Sequence, residues 1–270
     1  MSRATVFGSS GFVGAAVSDV LKSRGFEVVR QPRDSLTPPD GGFGVVLWCI
    51  GLTADYRRRP LDTADAHVGI LTEVLRQDAH EKFIYLSSAR VYGGSESTSE
   101  EAPLLLRPLF PSDVYNATKL AGESVVLSSQ PERGVVVRPS NVIGPAEFTR
   151  HTFLGTISRQ ALNGKISLES SPISQKDYVW ITDAAKVLAD IATVGTERAY
   201  NLGRGMQIQH SQWVDALASL TDCEVYVDPG AAVESFPQLD VSRIEQEFSF
   251  YPQDPLRHIA EILYGDKGLP

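Results

Sequence analysis

Short, mostly apolar runs alternate with stretches of helical periodicity through the first half of the chain. The runs predict strands at 4–7, 27–30, 45–50, 83–86 and 135–138. Between them, apolar residues three and four positions apart predict a helix that ends at Gly25, one near 62–77 and one from Ser112. Strands that are apolar almost throughout are typical of a parallel sheet covered on both faces. We therefore predict an α/β protein with a doubly wound parallel sheet.

The second half of the chain has a looser pattern after Pro145. It predicts helices near 152–163, 182–193, 211–220 and 254–264, and short strands near 177–181 and 198–202. We predict a main domain over 1–145, with 174–195 packing back onto it, and a smaller substrate-binding lobe over 146–270. Residues 31–44 hold three prolines and three glycines and are too short for another strand–helix unit.

The turn after the first strand contains Gly8, Gly11 and Gly14. The first glycine allows a sharp turn, and the small residues after it bring backbone N–H groups close to a ligand. The last glycine lets the helix pack tightly on the strand, so that the helix N-terminus points at an anion, most often a dinucleotide pyrophosphate. Three glycines alone are a weak signal, and the flanking strand and helix turn them into a prediction of dinucleotide binding.

The composition narrows the function classes. Hydrophobic residues make up 42% of the 270-residue chain and charged residues 21%, which is ordinary for a globular protein. A net charge of −8 argues against a general role on nucleic acid or a membrane surface. Cys49 and Cys223 are far apart and predict neither a disulfide framework nor a metal site. No run approaches ~18 apolar residues, so we expect a soluble protein of a reducing compartment, the cytoplasm.

Tyr115 and Lys119 lie four residues apart, on one face of the predicted helix. A phenol has a pKa near 10, and lowering it by ~3 units takes about 4 kcal/mol, which a lysine and an oxidised nicotinamide can supply together. The pair therefore predicts proton transfer, although two such residues can also merely decorate a helix surface.

Two hydroxyl groups follow the strand at 83–86. Ser87 and Ser88 stand at its carboxyl end, where a hydroxyl can bond a substrate oxygen beside the phenol. The alternative is a serine-rich loop start that caps backbone groups.

In this order along the chain, these signals resemble the extended short-chain dehydrogenase/reductase family, which includes nucleotide-sugar epimerases, dehydratases and reductases. The resemblance covers nearly the whole chain and rests on segments 8–14, 87–93, 115–119, 138–145, 176–179 and 200–203. It implies a Rossmann-type fold. It also implies that Tyr115 is the acid/base, that Lys119 holds the nicotinamide ribose and lowers the phenol pKa, and that Ser88 orients the substrate oxygen.

The same resemblance implies two sets of binding residues. Besides Tyr115 and Lys119, the cofactor set consists of Gly8, Ser9, Ser10, Gly11, Phe12, Val13, Gly14, Arg30, Arg33, Cys49, Ile50, Gly51, Leu86, Pro139 and Ser140. The substrate set consists of Ser88, Arg90, Tyr92, Asn141 and Lys176.

Departures from the family pattern refine the expected activity. Its dehydratases carry an Asp-Glu pair where Ala89 and Arg90 stand, which argues against dehydration. Its NAD-selective members end the second strand on an acidic residue, whereas this chain has Arg30 and then Arg33. A guanidinium suits a 2′-phosphate, so we predict NADP, with NAD as the alternative. The non-functional interpretation is that both arginines are solvated loop residues.

Three further departures concern the substrate. His67 replaces a common asparagine, and Lys176 keeps the charge of a family arginine without its bidentate fork. The run Arg57-Arg58-Arg59 could help to bind an anionic substrate, but such runs are more often solvated.

Together these observations predict an NADP(H)-dependent oxidoreductase that reduces a keto group of a nucleotide-linked deoxysugar. The alternatives are a nucleotide-sugar 4-epimerase, which uses the same residues, and a non-catalytic dinucleotide sensor.

The resemblance also implies a homodimer built from the helix near 62–77 and the helix that bears Tyr115. On the second helix Ala117, Ala121 and Val125 form a stripe of small residues. On the first we expect Val68, Leu71 and Leu75 to face the sheet. The remaining apolar residues, Ala64, Ile70 and Val74, lie at other angles, where they can meet a partner.

Overall fold

Six parallel strands form the central sheet of the computed structural model, which describes residues 1–32, 35–53, 55–146, 152–234 and 236–265. The strand order is β2-β1-β3-β4-β5-β9. The strands span β1 Arg3–Phe7, β2 Glu27–Arg30, β3 Gly44–Trp48, β4 His80–Leu86, β5 Gly134–Pro139 and β9 Ala199–Leu202. This confirms the predicted α/β class with a Rossmann-type parallel sheet.

Helices cover both faces of this sheet. Helices α1 (Phe12–Ser23) and α6 (Ile181–Val194) pack on one face. The other face carries α2 (Pro60–Ala64), a π-helical turn (Asp65–Gly69), α3 (Ile70–Leu75) and α4 (Val114–Ser129). Alternate strand residues serve the two faces: Leu47 packs in the first core and Trp48 in the second, and both are fully buried.

Most of the remaining elements build a third core. Strands β6 (Asn141–Ile143), β8 (Gln175–Trp180) and β10 (Gln207–Gln209) form one small sheet, and β7 (Lys165–Ser170) pairs in parallel with β11 (Glu224–Ala232). The helices of this part are α5 (Phe153–Leu162), α7 (His210–Thr221) and α9 (Ile259–Tyr264), whereas α8 (Ser242–Phe248) packs Ile244 into the first core. Trp180 and Trp213 lie in the third core. The exact division into two domains stays a prediction.

Several details of the predicted elements change. The described residues between β2 and β3 form neither strand nor helix, as predicted, so β2 is an edge strand. In the helix near 62–77, Leu71 and Leu75 are buried against the sheet as predicted, but the prediction for Val74 is wrong, because Val74 is fully buried there whereas Val68 is only half-buried. The π-helical turn interrupts the regular α-helical periodicity on which that prediction rested. None of the described helices has both the length and the apolar character needed to cross a membrane.

Candidate active site

The loop between β1 and α1 folds as the glycine spacing predicts. Gly8 has φ +75°, and a Cβ on it would lie 2.9 Å from the Cys49 carbonyl group. A Cβ on Gly14 would lie 2.3 Å from the Gly8 oxygen, so α1 packs too closely on the loop for any side chain there. The Gly11 N–H donates to the Gly8 oxygen at 2.9 Å and closes the turn. This tight, side-chain-free turn at a helix N-terminus fits a dinucleotide pyrophosphate.

The other predicted cofactor residues lie along the same edge of the sheet. Cys49, Ile50 and Gly51 follow β3, Leu86 ends β4, and Pro139 ends β5 with Ser140 next to it. Because β1, β3, β4 and β5 are parallel neighbours, all of these residues lie at their carboxyl ends. Ligands of such sheets bind in the crevice beyond that edge.

Of the two arginines predicted to select the cofactor, only Arg30 lies among the residues that the structure describes. Arg30 ends β2, and its exposed side chain pairs with Asp19 of α1 at 2.5 Å. An exposed pair of this kind contributes at most about 1 kcal/mol, so it leaves Arg30 able to exchange partners. Arg33 and the following Asp34 lie outside the described residues. NADP selectivity therefore stays a prediction.

Helix α4 places Tyr115 and Lys119 on its buried face, and the two side chains are 5% and 3% exposed. Lys119 Nζ donates to the Leu86 carbonyl at the end of β4, at 2.8 Å. Burial lowers the pKa of Lys119 from 10.5 to about 7, against the opposing charges of Glu123 and Cys49. The amine is thus held at the sheet edge, close to the point where it changes charge at neutral pH.

The hydroxyl groups of Ser88 and Tyr115 meet as predicted. Burial raises the pKa of Tyr115, while a hydrogen bond from Ser88 and the charge of Arg90 lower it in part. The Ser88 hydroxyl also accepts the Arg90 backbone N–H at 3.2 Å, which fixes its position at the start of a 3₁₀ turn. The prediction that Lys119 lowers the phenol pKa is not supported in this state, because its amine turns toward Leu86 and the nearby cation that acts on the phenol is Arg90.

Tyr56 belongs to the site although the sequence analysis did not name it. Its ring is buried against Tyr115 at a centroid separation of 5.3 Å. Its hydroxyl accepts a hydrogen bond from Arg90 Nη2 at 2.6 Å, and the Arg57 guanidinium lies 5.1 Å from its ring centroid. The sequence feature next to Tyr56 that we considered is the arginine run that starts at Arg57.

His67, which the sequence analysis names only as the replacement of a common asparagine, also lies in the site. Its Nδ1 lies 2.8 Å from the Thr118 hydroxyl, which donates its own proton to the carbonyl of Val114 at 2.9 Å. Nδ1 must therefore carry the hydrogen, and Nε2 accepts the Leu52 N–H at 3.4 Å. Burial, with help from the Lys119 charge, lowers the His67 pKa to about 3 and keeps the ring neutral. The ring stands edge-on to Tyr115, with the centroids 5.2 Å apart.

Besides Ser88 and Arg90, the predicted substrate residues are Tyr92, Asn141 and Lys176, and Tyr92 differs from the other two. Tyr92 is 1% exposed, and its hydroxyl donates to Asn201 at 2.8 Å and accepts from Arg138 at 2.7 Å. Arg138 in turn forms a buried ion pair with Glu123 of α4 at 2.6 Å. The Tyr92 hydroxyl is thus used inside the protein, and its prediction as a substrate contact is corrected to a role in holding α4.

The other predicted substrate residues face the second lobe. Asn141 donates to the carbonyl of Asp177 at 2.8 Å, and Lys176 pairs with Glu234 at 2.9 Å. Lys176 and Glu234 line a cavity of about 370 Å³ together with side chains of α5 and β7, among them Phe153, Gln160 and Ser170. The Lys176 contact lowers the pKa of Glu234, and the charge of Arg90 adds to this effect.

Comparisons with known proteins agree with this geometry. The sequence model of the NAD dependent epimerase/dehydratase family matches residues 37–203, more than half of the chain. The human protein dTDP-D-glucose 4,6-dehydratase is 29% identical over 158 residues, which cover 55% of this chain and 44% of that protein. The chain thus spans less than half of that relative's length.

Two solved structures share the fold over nearly their whole length. The first is RMD from Pseudomonas aeruginosa complexed with NADPH, with a TM-score of 0.78, 20% identity and coverage of 98% of this chain and 99% of that one. The second is UDP-glucuronic acid 4-epimerase from Bacillus cereus in complex with UDP-glucuronic acid and NAD, with a TM-score of 0.80 and 17% identity. It covers 97% of this chain and 98% of that chain.

Proposed function

Since the chain belongs to the NAD dependent epimerase/dehydratase family, we propose that it is an NADP(H)-dependent oxidoreductase that reduces a keto group of a nucleotide-linked sugar or deoxysugar. One observation carries this proposal. Ser88, Tyr115 and Lys119 meet at the carboxyl ends of β4 and β5, beside the glycine loop that fits a dinucleotide.

Each side chain of the site has its own role in the reduction. A bound nicotinamide dinucleotide supplies the hydride. Tyr115 donates its phenolic proton to the oxygen of the substrate, and Ser88 holds that oxygen by a hydrogen bond. The Arg90 guanidinium, 5.5 Å from the Tyr115 ring centroid, stabilises the phenolate that remains. Lys119, with a pKa of about 7, would hold the ribose of a bound dinucleotide beside the phenol.

The cavity of the second lobe supports a nucleotide-linked substrate. Its volume of about 370 Å³ suits one nucleoside, and Lys176 provides a cation for the phosphates once it exchanges its partner Glu234. The Bacillus cereus relative binds UDP-glucuronic acid, and the human relative is named for a dTDP-sugar. We therefore infer a nucleotide sugar as substrate and leave the base open.

Two features of the chain favour reduction over dehydration and epimerisation. Ala89 and Arg90 stand where the dehydratases of the resemblance carry an acid pair, so the groups that remove water are missing from those two positions. An arginine at the end of β2 favours NADPH, the cofactor present in the Pseudomonas aeruginosa structure. A 4-epimerase with a retained cofactor is the second candidate, because it needs the same Ser88, Tyr115 and Lys119.

The experiment is a screen of UDP-, dTDP- and GDP-linked 4-keto sugars with NADPH, followed by loss of nicotinamide absorbance. The Tyr115→Phe variant removes the ionisable oxygen and keeps the ring packing, so turnover should fall by about a hundredfold or more at unchanged NADPH affinity. Epimerisation without net NADPH consumption would favour the 4-epimerase. If wild type and variant both bind NADPH and neither turns over any sugar, the protein is a dinucleotide sensor.

A further inference from the structure

Arg90 brings a positive charge to the side of Tyr115. Its guanidinium carbon lies 4.9 Å from the ring centroid of Tyr56 and 5.5 Å from that of Tyr115. The Nη2–H···O bond to the Tyr56 hydroxyl, at 2.6 Å, fixes the orientation of the guanidinium. Tyr56 is only 3% exposed and rests on Tyr115, so this support is rigid. Arg90 is therefore a pre-oriented cation within reach of a substrate held at the phenol.

The protein supplies this cation with no carboxylate partner among the described residues. None of their Asp or Glu oxygens lies within 4.0 Å of the Arg90 guanidinium. Glu234 is near enough for Arg90 to lower its pKa, but its carboxylate bonds to Lys176 at 2.9 Å. A guanidinium has five N–H donors, and the bond to Tyr56 uses one of them. A half-buried cation with free donors is ready for an anion from outside.

We propose that Arg90, oriented by Tyr56, binds a carboxylate that the substrate carries on the carbon next to the reacting carbon. The inference rests on the proposed function, because it places the reacting oxygen between Ser88 and Tyr115. In a hexose ring the neighbouring carbon carries its substituent within about 3 Å of that oxygen, which is the reach of a guanidinium lying beside the phenol ring. The substrate class is then a nucleotide-linked uronic acid in place of a neutral or 6-deoxy sugar.

The chemistry of the anion favours a carboxylate over the substrate's diphosphate. Lys176 lines the nucleoside-sized cavity and Arg90 does not, so Lys176 is the cation assigned to the phosphates. A planar guanidinium matches a planar carboxylate in a bidentate pair, whereas the ammonium of Lys176 acts as a point charge. The two cations thus divide one substrate between them, with its ring carboxylate at Arg90 and its diphosphate at Lys176.

The test compares two ligands that differ only at the carbon in question. Calorimetry on the cofactor-loaded protein measures the dissociation constants of UDP-glucuronic acid and UDP-glucose, for the wild type and for Arg90→Gln, Arg90→Lys and Arg57→Gln. We expect the wild type to prefer the uronic acid about 10- to 100-fold, as for a charged hydrogen-bonded pair. Arg90→Gln should abolish the preference and Arg90→Lys should keep part of it. Arg57→Gln removes an equal charge beside Tyr56, from an arginine that makes no ring contact with Tyr115 in the described part of the chain, and should keep the preference fully.

Two results overturn the proposal. One is an equal affinity of the wild type for both sugars, and the other is an unchanged preference in Arg90→Gln. If neither UDP-sugar binds, UDP is excluded as the nucleotide of the proposed function, and the carboxylate site is tested on its own with free D-glucuronate and D-glucose. The probe is the ¹⁵N–¹H signal of Arg90 Nε, assigned by its loss in Arg90→Gln. A shift with glucuronate alone supports the site, and no shift rejects it.

Discussion

The buried amine of Lys119 makes the stability of the protein depend on pH in a way that one substitution can measure. Burial lowers its pKa from 10.5 to about 7. Between about pH 7 and about pH 10.5 this amine is therefore protonated in the unfolded chain and neutral in the folded protein. Because the unfolded state binds more protons there, the free energy of unfolding rises as the pH rises from about 7 to about 10.5. Below pH 7 the folded protein carries the full cost of a charged, buried amine.

The size of the effect follows from the shift. A change of about 3.5 pKa units, at about 1.4 kcal/mol per unit, corresponds to about 5 kcal/mol over the whole window. Between about pH 6 and about pH 9 roughly half of this, about 2 to 3 kcal/mol, is recovered. Lys119→Met keeps the side-chain length and removes the titrating group. It also removes the bond to the Leu86 carbonyl, but that loss is the same at every pH.

The assay is urea unfolding of the wild type and Lys119→Met, without cofactor, at about pH 6, 7.5 and 9. The stability of the wild type relative to the variant should increase by about 2 to 3 kcal/mol from the lowest to the highest pH. Lys22→Met, which removes an exposed lysine of α1, controls for the change in net charge. A relative stability that stays constant within about 0.5 kcal/mol across the three pH values would refute the reasoning.

Three further predictions concern the cofactor and the assembly. Arg33→Ala should weaken NADPH binding about tenfold or more and leave NADH binding nearly unchanged, and equal losses in fluorescence titrations would reject NADP selectivity. Gly14→Ala should reduce the affinity for either cofactor and lower the melting temperature, because its Cβ would meet the Gly8 oxygen at 2.3 Å; an unaffected variant would contradict this close packing. Ala121 is exposed on α4, so Ala121→Glu should convert a dimer into a monomer, whereas a wild type that scatters light as a single chain of 29.4 kDa would rule the dimer out.

The sequence predicts the sheet well because the strands are short, apolar and separated by clear helical stretches. Each strand of the main sheet lies within a residue or two of its predicted position, apart from the earlier start of β4 at His80. The second lobe was harder to predict. Strand β7 alternates buried and exposed residues over only six positions, and β11 is exposed over almost its whole length. Such strands are defined by their partner and not by their own hydrophobicity, so a single-sequence pattern does not reveal them.

The residues of the site also divide into those that a local sequence motif indicates and those whose place depends on long-range contacts. Ser88, Tyr115 and Lys119 could be predicted because each stands in a local motif at a strand end or on a helix face. Tyr56 lies in a loop, and the arginine run next to it does not by itself indicate that its ring packs on Tyr115. The electrostatics could not be predicted either, because the orientation of Lys119 toward Leu86 depends on a contact between residues 33 positions apart.

The π-helical turn at Asp65–Gly69 explains how His67 reaches the site in place of an apolar neighbour. Buried positions on this side recur every four residues, at Thr63, His67, Leu71 and Leu75. In an uninterrupted α-helix of 3.6 residues per turn, this spacing drifts by about 40° at each step. A π-helical turn holds more residues per turn and so reduces the drift across the step that contains it.

The imidazole therefore keeps facing inward, where its Nε2 and the Lys119 amine both approach Gly51: a Cβ on that glycine would lie 3.5 Å and 3.3 Å from them. An apolar residue at this position would leave the Leu52 N–H and the Thr118 hydroxyl without their present partner. The irregular turn thus serves the site, since it brings a neutral hydrogen-bond acceptor next to the amine whose charge state the site controls.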